Sequence, residues 1–593
     1  MTSSQTVDFK EIDVRTAINA LYMIFCTALL PIVVIGIAFF YSGLTQRRSS
    51  LTMFAIPILL LPLIFIDWFI WGYSLSYSAS ANHFIGNLNF AVLRQLRNSI
   101  TLVFTNTRGE ILVLNHFLFN GFFKVICAAL TMPGCIAERG RIIPMLVFLF
   151  FWSAMIYNPV TYWFWNSNGW LSIDLDNLPV LDFAGGNCIH IVGGFTCLAY
   201  SYILGPRNPK ILYNYRNINT GHIIFGTFCI LSGWVGFIAG CDFKFSSNSL
   251  YIMVNTLLAA FSGSIVWTSI DYFFSSIPLA DTASITANPE QPAYPEPIIG
   301  GSSPESIELK RLHSPQSSHR IQPVISQTGI LKSQRYHETK SNFVEKRKFS
   351  MISFSSGMIT GLVVFTPGGG FVSSPSEFWK PIIFGVVGAI ICNLSTRLKY
   401  FFGIDDALDI FAIHGVAGIV GSLLTGLFAN TQYQSQGGWV KRHWIQFAYQ
   451  LLGITVTSAY VFILTCVFLL IIDRIPGLHL RIDKNFNARQ KQQKTTPELP
   501  IHELESQVSP HDVASNKDLF WEQVELQGTD TYEFNGEYMM DFIEFIKVIR
   551  PQDYEDNDQS FDNIDQPNYE NLTGLGADYE MHPEGVHHLT KRE

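Results

Sequence analysis

Charge is what this sequence has least of. Only 15% of its 593 residues are Asp, Glu, Lys or Arg, while 48% are apolar. Soluble chains carry about a quarter charged residues, so this balance excludes an ordinary soluble protein and fits one that crosses a bilayer many times. Cysteine is sparse as well. The nine cysteines all fall in apolar stretches with neither disulfide nor Cys/His zinc spacing, which excludes a crosslinked scaffold and a metal site; they read as small buried apolar residues. The phosphate-cradling patterns G-x-x-x-x-G-K-S/T and G-x-G-x-x-G are missing, so a nucleotide-driven pump has no support. There is no basic stripe for nucleic acid, no nucleophile–base set for an intramembrane enzyme, and no cofactor motif. The N-terminal stretch does not read as a cleavable signal: Asp8, Lys10, Glu11, Asp13 and Arg15 precede an apolar run too long for a signal peptide.

What is there is a series of long apolar runs. A spanning helix needs about 20 such residues, and eleven candidates stand at 18–42, 51–77, 111–137, 143–166, 183–205, 222–241, 249–275, 351–369, 378–396, 407–428 and 445–473. The expected fold is an all-α membrane protein of eleven transmembrane helices. Basic clusters at Arg47–Arg48, Arg139–Arg141, Arg207–Lys210, Lys346–Lys348 and Arg397–Lys399 follow the odd-numbered runs. By the positive-inside rule those exits are cytoplasmic, which puts the N-terminus outside and the C-terminus inside. The chain divides into a first membrane part (1–275, helices 1–7), a Pro-, Ser- and Gly-rich cytoplasmic insertion (276–349), a second membrane part (350–474, helices 8–11) and a tail (475–593). The insertion and much of the tail have the composition of disordered segments. Steps such as Ser314–Pro315 are open to kinases, or simply tolerated in a surface loop. The tail carries fourteen more acidic than basic residues against a whole-chain charge of −8, so the rest is basic by six.

Two histidines fall inside spans, His190 in the fifth and His414 in the tenth, in surroundings that rhyme. Gly186, Gly193 and Gly194 flank His190 at helical offsets; Gly418 and Gly421 flank His414; Asp182 precedes the first and Asp409 the second. Glycines on the histidine face admit a neighbouring backbone. Segments five helices apart suggest two five-helix inverted repeats with a site at the midplane, the eleventh helix lying outside the symmetry. One such histidine is as readily a core residue bonded to a carbonyl. Two in repeated contexts favour function, because ionisable groups inside a bilayer are costly. Neutral imidazoles each hold one donor and one acceptor nitrogen, enough to orient a small solute and pass a proton.

The stretches WGYSL on the second helix, DFAGGNCIH on the fifth, GWVGFIAG on the sixth and DDALDIFAIHGVAGIVG on the tenth, in this order, resemble the ammonium transporter / methylammonium permease / Rh family. YWFWNSNGW and IPGLHLR look most like its fungal ammonium permease branch, and the resemblance covers about 18–275 and 351–480. It implies a homotrimer of eleven-helix protomers in the plasma membrane, each with its own pore for ammonium or methylammonium. An outer aromatic vestibule gathers the ion, stacked phenylalanines gate it, and twin histidines line the apolar channel. By motif position Trp170 matches the vestibule tryptophan, Phe119 and Phe237 the gate rings, and His190 and His414 the twin histidines. Asp182 is expected to cap helix 5 rather than bind the ion, and Asp409 to do the same for helix 10. A tryptophan face attracts a cation by about 0.5–2 kcal/mol. Burying the bare ion costs tens of kcal/mol by a Born estimate, so ammonium is expected to shed its proton near the gate, which potassium lacks the means to do.

The sequence departs from that pattern at four places. Where the family has a serine after the second gate ring, this chain has Cys241, preceded by Ile238, and a thiol is a poor replacement for a hydroxyl. Lys124 and Asp67 stand inside spans 3 and 2 at similar depth, as a compensating ion pair or with Lys124 repelling ammonium. The tail motif is split: after IPGLHLRID come about forty foreign residues, then EQVELQGTDTYEFNGEY with Gly528, Asp530, Gly536 and Glu537 in the familiar spacing. That segment is expected to fold back on the cytoplasmic face, there to meet neighbouring protomers and cytoplasmic regulators or kinases, unless the match is fortuitous. The leading reading is ammonium transport; an ammonium sensor and a neutral-gas channel of the Rh type stay open beside it.

Overall fold

Long runs of Leu, Ile, Val and Phe satisfy their backbone only as helices in a bilayer, and helices dominate the computed structural model of the chain. It describes residues 14–80, 82–94, 101–103, 110–175, 178–212, 215, 217–274, 277–278, 343–344, 349–431, 435–489 and 513–534. Among these residues ten helices are long and apolar enough to span a membrane: α1 Val14–Leu44, α2 Arg47–Tyr77, α3 Val113–Ile136, α4 Ile142–Trp165, α5 Gly186–Leu204, α6 Thr220–Gly240, α7 Ser247–Phe274, α9 Trp379–Phe402, α10 Phe411–Phe428 and α11 Ile445–Ile472. A shorter apolar helix, α8 Met351–Phe365, stands where the eighth span is expected, which is consistent with eleven. Their outward faces expose Leu63, Ile66, Phe150, Ile265 and Ile463, as a lipid-facing surface requires. Two-stranded pairings fall in loops: β1 (Thr101–Val103) with β2 (Glu110–Leu112) before α3, and β3 (Ile277–Pro278) with β4 (Phe343–Val344) after α7. Apart from those last four residues and Phe349, the insertion lies outside the described residues, Ser314 and Pro315 included.

The packing follows the expected repeat. α1 packs on α2 and α3, α2 on α3, and α3 on α5; in the same pattern α6 packs on α7 and α8, α7 on α8, and α8 on α10. The halves meet along α1–α6 and α5–α10, and α11 covers α5. Glycines allow these crossings. A Cβ at Gly194 would stand 2.3 Å from the Gly415 backbone, and one at Gly36 2.8 Å from the Gly226 carbonyl.

Helix starts differ from the sequence expectation where a carboxylate intervenes. α5 begins at Gly186 because the chain turns sharply through Gly185, in the left-handed region at φ 111°, under the Asp182 carboxylate. α10 begins at Phe411 because Asp409 is itself left-handed, at φ 56°, a conformation costly for a non-glycine residue.

The short loops at the Arg139 and Arg207 ends are held by charge. Arg207 bonds both oxygens of Asp405 (2.7 and 2.9 Å) and Glu138 (2.6 Å). Burial alone would push the Asp405 carboxyl up, but Arg139 and Arg207 hold it well below the usual carboxylate range. The tail docks on this same face through α12 (Val513–Gln527) and α13 (Thr529–Phe534). Glu525 grips Arg481 with both oxygens (2.6 and 2.9 Å). Asp530 accepts the N–H groups of Leu51 and Thr52 at the start of α2 (2.9 and 2.7 Å), and Glu533 accepts that of Ile142 at the start of α4 (2.8 Å). Carboxylates are favourable there because helix N-termini present unpaired donors and a positive dipole end. Gly528, at φ 107°, has no room for a side chain: a Cβ would lie 2.4 Å from the Arg48 carbonyl. The segment thus lies against helix starts and loops of its own protomer. Gly536 and Glu537 lie outside the described residues.

Candidate functional site

A line of flat rings runs through the middle of the bundle. Phe123 of α3 and Phe237 of α6 stack face to face, centroids 4.0 Å apart and planes 4° from parallel. Phe237 stacks on Trp234 (4.9 Å), Trp234 on His190 (5.5 Å, 13°), and His190 on His414 (5.4 Å, 16°). All five are buried. The two Nδ1 atoms of the histidines are 3.3 Å apart, within hydrogen-bond reach, and Nε2 of His190 is buried without a protein partner. Thr366 fixes the Trp234 indole by accepting its N–H (3.2 Å). Both histidines sit in π-helical turns, Gly186–Ile191 and Phe411–Val416; such wide turns recur where a helix serves a function.

Above the phenylalanine pair, on the side away from the docked tail and called outer for that reason, lies a small cavity. α2 contributes Tyr77 to it, α3 His116, Asn120 and Phe123, α4 Trp165, the approach to α5 Phe183, and the end of α6 and the turn after it Cys241 and Phe243. The Trp165 indole donates to the Asp182 carbonyl (2.9 Å) and meets Phe123 edge-on (5.9 Å). The Cys241 thiol points back to the Phe237 carbonyl (3.4 Å). Below His414 an apolar pocket lined by Ile37, Tyr41, Leu130, Leu408 and Ile413 leads toward an inner cavity of about 240 Å³, where Leu408 and Ile413 reappear with Arg207, Lys399 and Asp409.

The structure brings His190, His414, Phe237 and Cys241 together along this line and corrects three of the residues expected there. Phe237 stacks on Phe123, not on Phe119. Phe119, one turn away, tilts against Phe123 (4.7 Å, 43°) and fills the space over Gly240, where a Cβ would meet its ring at 2.5 Å. The outer cavity is lined by Trp165, not Trp170, whose ring packs on Trp163 (5.7 Å). Asp182 accepts four backbone N–H groups, from Gly185, Gly186, Asn187 and Cys188 (2.6–3.2 Å), as expected of a cap. Its counterpart on α10 is Asp406, which accepts the Phe411 N–H (2.7 Å); Asp409 instead pairs with Lys399 (2.8 Å) at the inner cavity. The sequence held the signal for Asp406, since it precedes His414 by eight residues, as Asp182 precedes His190. Sequence reading also missed Trp234 as the link between the phenylalanine pair and the histidines, and His116 in the outer cavity.

Lys124 and Asp67 do meet. The lysine Nζ lies 2.5 Å from Asp67 Oδ2 and 3.0 Å from Asn158 Oδ1, fully buried, at the middle of α3.

A family model described as the Ammonium Transporter Family matches residues 21–284 and 339–494. Ammonium transporter 1 of Schizosaccharomyces pombe is 32% identical over 467 residues, 77% of each chain; ammonium transporter 2 of that yeast is 33% identical over 477 residues, 78% of this chain and 77% of its own. The crystal structure of Candida albicans Mep2 superposes with a TM-score of 0.61 at 30% identity, covering 80% of this chain and 89% of that one. A structure titled Sensor Amt Protein shares the fold at 20% identity, with a TM-score of 0.58.

Proposed function

Because this chain belongs to the Ammonium Transporter Family, we propose that it carries ammonium across the plasma membrane by separating ammonia from its proton inside the protein. The single observation that carries this reading is the unbroken ring stack from the outer cavity through Phe123, Phe237 and Trp234 to the paired histidines. Trp165 offers the recruited cation a π face, worth about 0.5–2 kcal/mol. The stacked pair bars the hydrated ion, whose full desolvation nothing there compensates. Ammonium gives up its proton at this point. Ammonia then passes along His190 and His414, whose facing Nδ1 atoms and unpartnered Nε2 provide sites for it and for the proton. The inner cavity releases both. No cofactor and no covalent step is involved. Methylammonium fits the same scheme, the N-terminus lies outside, and three protomers assemble around separate pores, with kinases or other regulators acting on the insertion and tail.

The placement of Cys241 favours a second reading, an ammonium sensor with weak transport. A serine hydroxyl at that wall of the cavity would accept or donate strongly, whereas the thiol faces the Phe237 carbonyl and gives a recruited cation a poor ligand. Trp165 in the cavity speaks against a channel for neutral gas. Cells lacking ammonium uptake, grown on scarce ammonium with this chain, its His190→Ala variant and its Cys241→Ser variant, decide between them. Transport predicts growth with the wild-type chain that His190→Ala abolishes. Growth only with Cys241→Ser establishes the sensor, and wild-type growth that survives His190→Ala removes the histidines from the mechanism.

A further inference from the structure

Four π-helical turns occur among the described residues, and two of them hold the paired histidines. The other two, Trp68–Gly72 in α2 and Ser153–Tyr157 in α4, converge on Lys124. Its ammonium group donates to Asp67 (2.5 Å) and Asn158 (3.0 Å) and lies 5.5 Å from the ring centroids of both Trp68 and Tyr157. Asp67 is held in turn by the Ser153 hydroxyl (2.6 Å) and the Trp71 indole (2.7 Å). Gly72 makes room, since a Cβ there would stand 2.8 Å from the lysine nitrogen, and Gly121 lets Trp68 close on α3. A carboxylate, a carbonyl and two aromatic faces around one primary ammonium are the parts of a cation cage. Its occupant is this protein's own side chain.

Phe123, whose ring stacks on Phe237, is the residue before Lys124. Neighbours on a helix point about 100° apart, so tying Lys124 to α2 and α4 sets the direction of the Phe123 ring. We propose that Lys124, caged by Asp67, Asn158, Trp68 and Tyr157, is a positioning residue that fixes the rotation of α3 and holds Phe123 in the conducting stack. This rests on the reading of Phe123 and Phe237 as the gate.

The test uses the purified full chain in liposomes, with methylammonium uptake as readout. K124A empties the cage and leaves a space matching propylammonium. Expected are a fall in maximal uptake of roughly tenfold to 10²-fold, as for a displaced reacting geometry, with KM nearly unchanged, and partial recovery with added propylammonium. The recovery should vanish in D67N/K124A, and D67N/K124M should transport better than either single variant. Wild-type uptake by K124A, or a loss that propylammonium does not relieve together with additive damage in the double variant, overturns the proposal. Propylammonium that raises the melting temperature of K124A but not of D67N/K124A reports the cage independently of transport. F123A run in parallel separates the two ideas. If F123A conducts as wild type, the gate reading falls, while the melting shift still decides whether a free ammonium occupies the cage.

Discussion

The two halves of the membrane body are built to one plan and spend charge differently. Each contains a buried lysine bonded to a carboxylate, an asparagine and a nearby tryptophan. In the first half it is Lys124, at the middle of α3, with Asp67, Asn158 and Trp68. In the second it is Lys380, at the start of α9, with Glu377 (2.6 Å), Asn430 (2.8 Å) and Trp379. Only the first has its neighbours drawn into π turns. Depth is the difference that matters. Glu377, in the loop before α9, also meets the exposed Lys441; Asp67 lies inside a span. A pair at the membrane surface is an anchor, whereas a pair at mid-depth survives only if every partner is present.

The largest effect should come from breaking that comparison. Lys124→Met leaves Asp67 charged and unpaired inside the bilayer, a loss of about 3–5 kcal/mol, while Lys380→Met should cost about 1.5–3 kcal/mol, the value of hydrogen bonds to a charged group. Thermal melts of the detergent-solubilised variants test the ranking, and equal melting temperatures would erase the distinction. The next effect sharpens the symmetry of the halves. Asp182→Asn and Asp406→Asn should each lose about 1–2 kcal/mol, because the amide gives up the negative charge at a helix start and turns a donor where the carboxylate accepted, and Asp409→Asn, which removes only a part-exposed pair with Lys399, less than about 1 kcal/mol. Asp409→Asn as damaging as Asp182→Asn would restore Asp409 as the repeat partner. The smallest effect concerns the outer cavity. Trp165→Leu should raise the KM for methylammonium about 2- to 30-fold, the equivalent of about 0.5–2 kcal/mol, and Trp170→Leu should leave it unchanged in the same uptake assay.

Hydropathy made the helices legible because the bilayer imposes length and apolarity on every span. The histidines were legible because an ionisable group there is rare, and the Asp67–Lys124 pair because unpaired charge at one depth demands a partner. What failed was the choice among equivalent residues. Phe119 and Phe123 lie four apart on one face of α3, and periodicity cannot say which ring meets Phe237; the answer depends on Gly240, which receives Phe119. Trp165 and Trp170 bracket a loop whose length shifts any count back from Asp182. Asp406 and Asp409 differ in backbone conformation, a left-handed φ at Asp409 turning its side chain toward Lys399. For the aromatic choices the deciding contact comes from a segment distant in sequence; for the aspartates it comes from the same loop, where the backbone turn and not the residue spacing decides.

The central claim is that two imidazoles with nitrogens 3.3 Å apart handle the proton that ammonium leaves behind. Purified chain in liposomes, loaded with a pH indicator and supplied with labelled methylammonium, measures it directly when wild type is set beside His190→Ala and His414→Ala. The account predicts accumulation by the wild type and a loss on the order of 10²-fold or more in each variant, the contribution of a positioned proton-transfer group. Undiminished uptake with either histidine removed would contradict it.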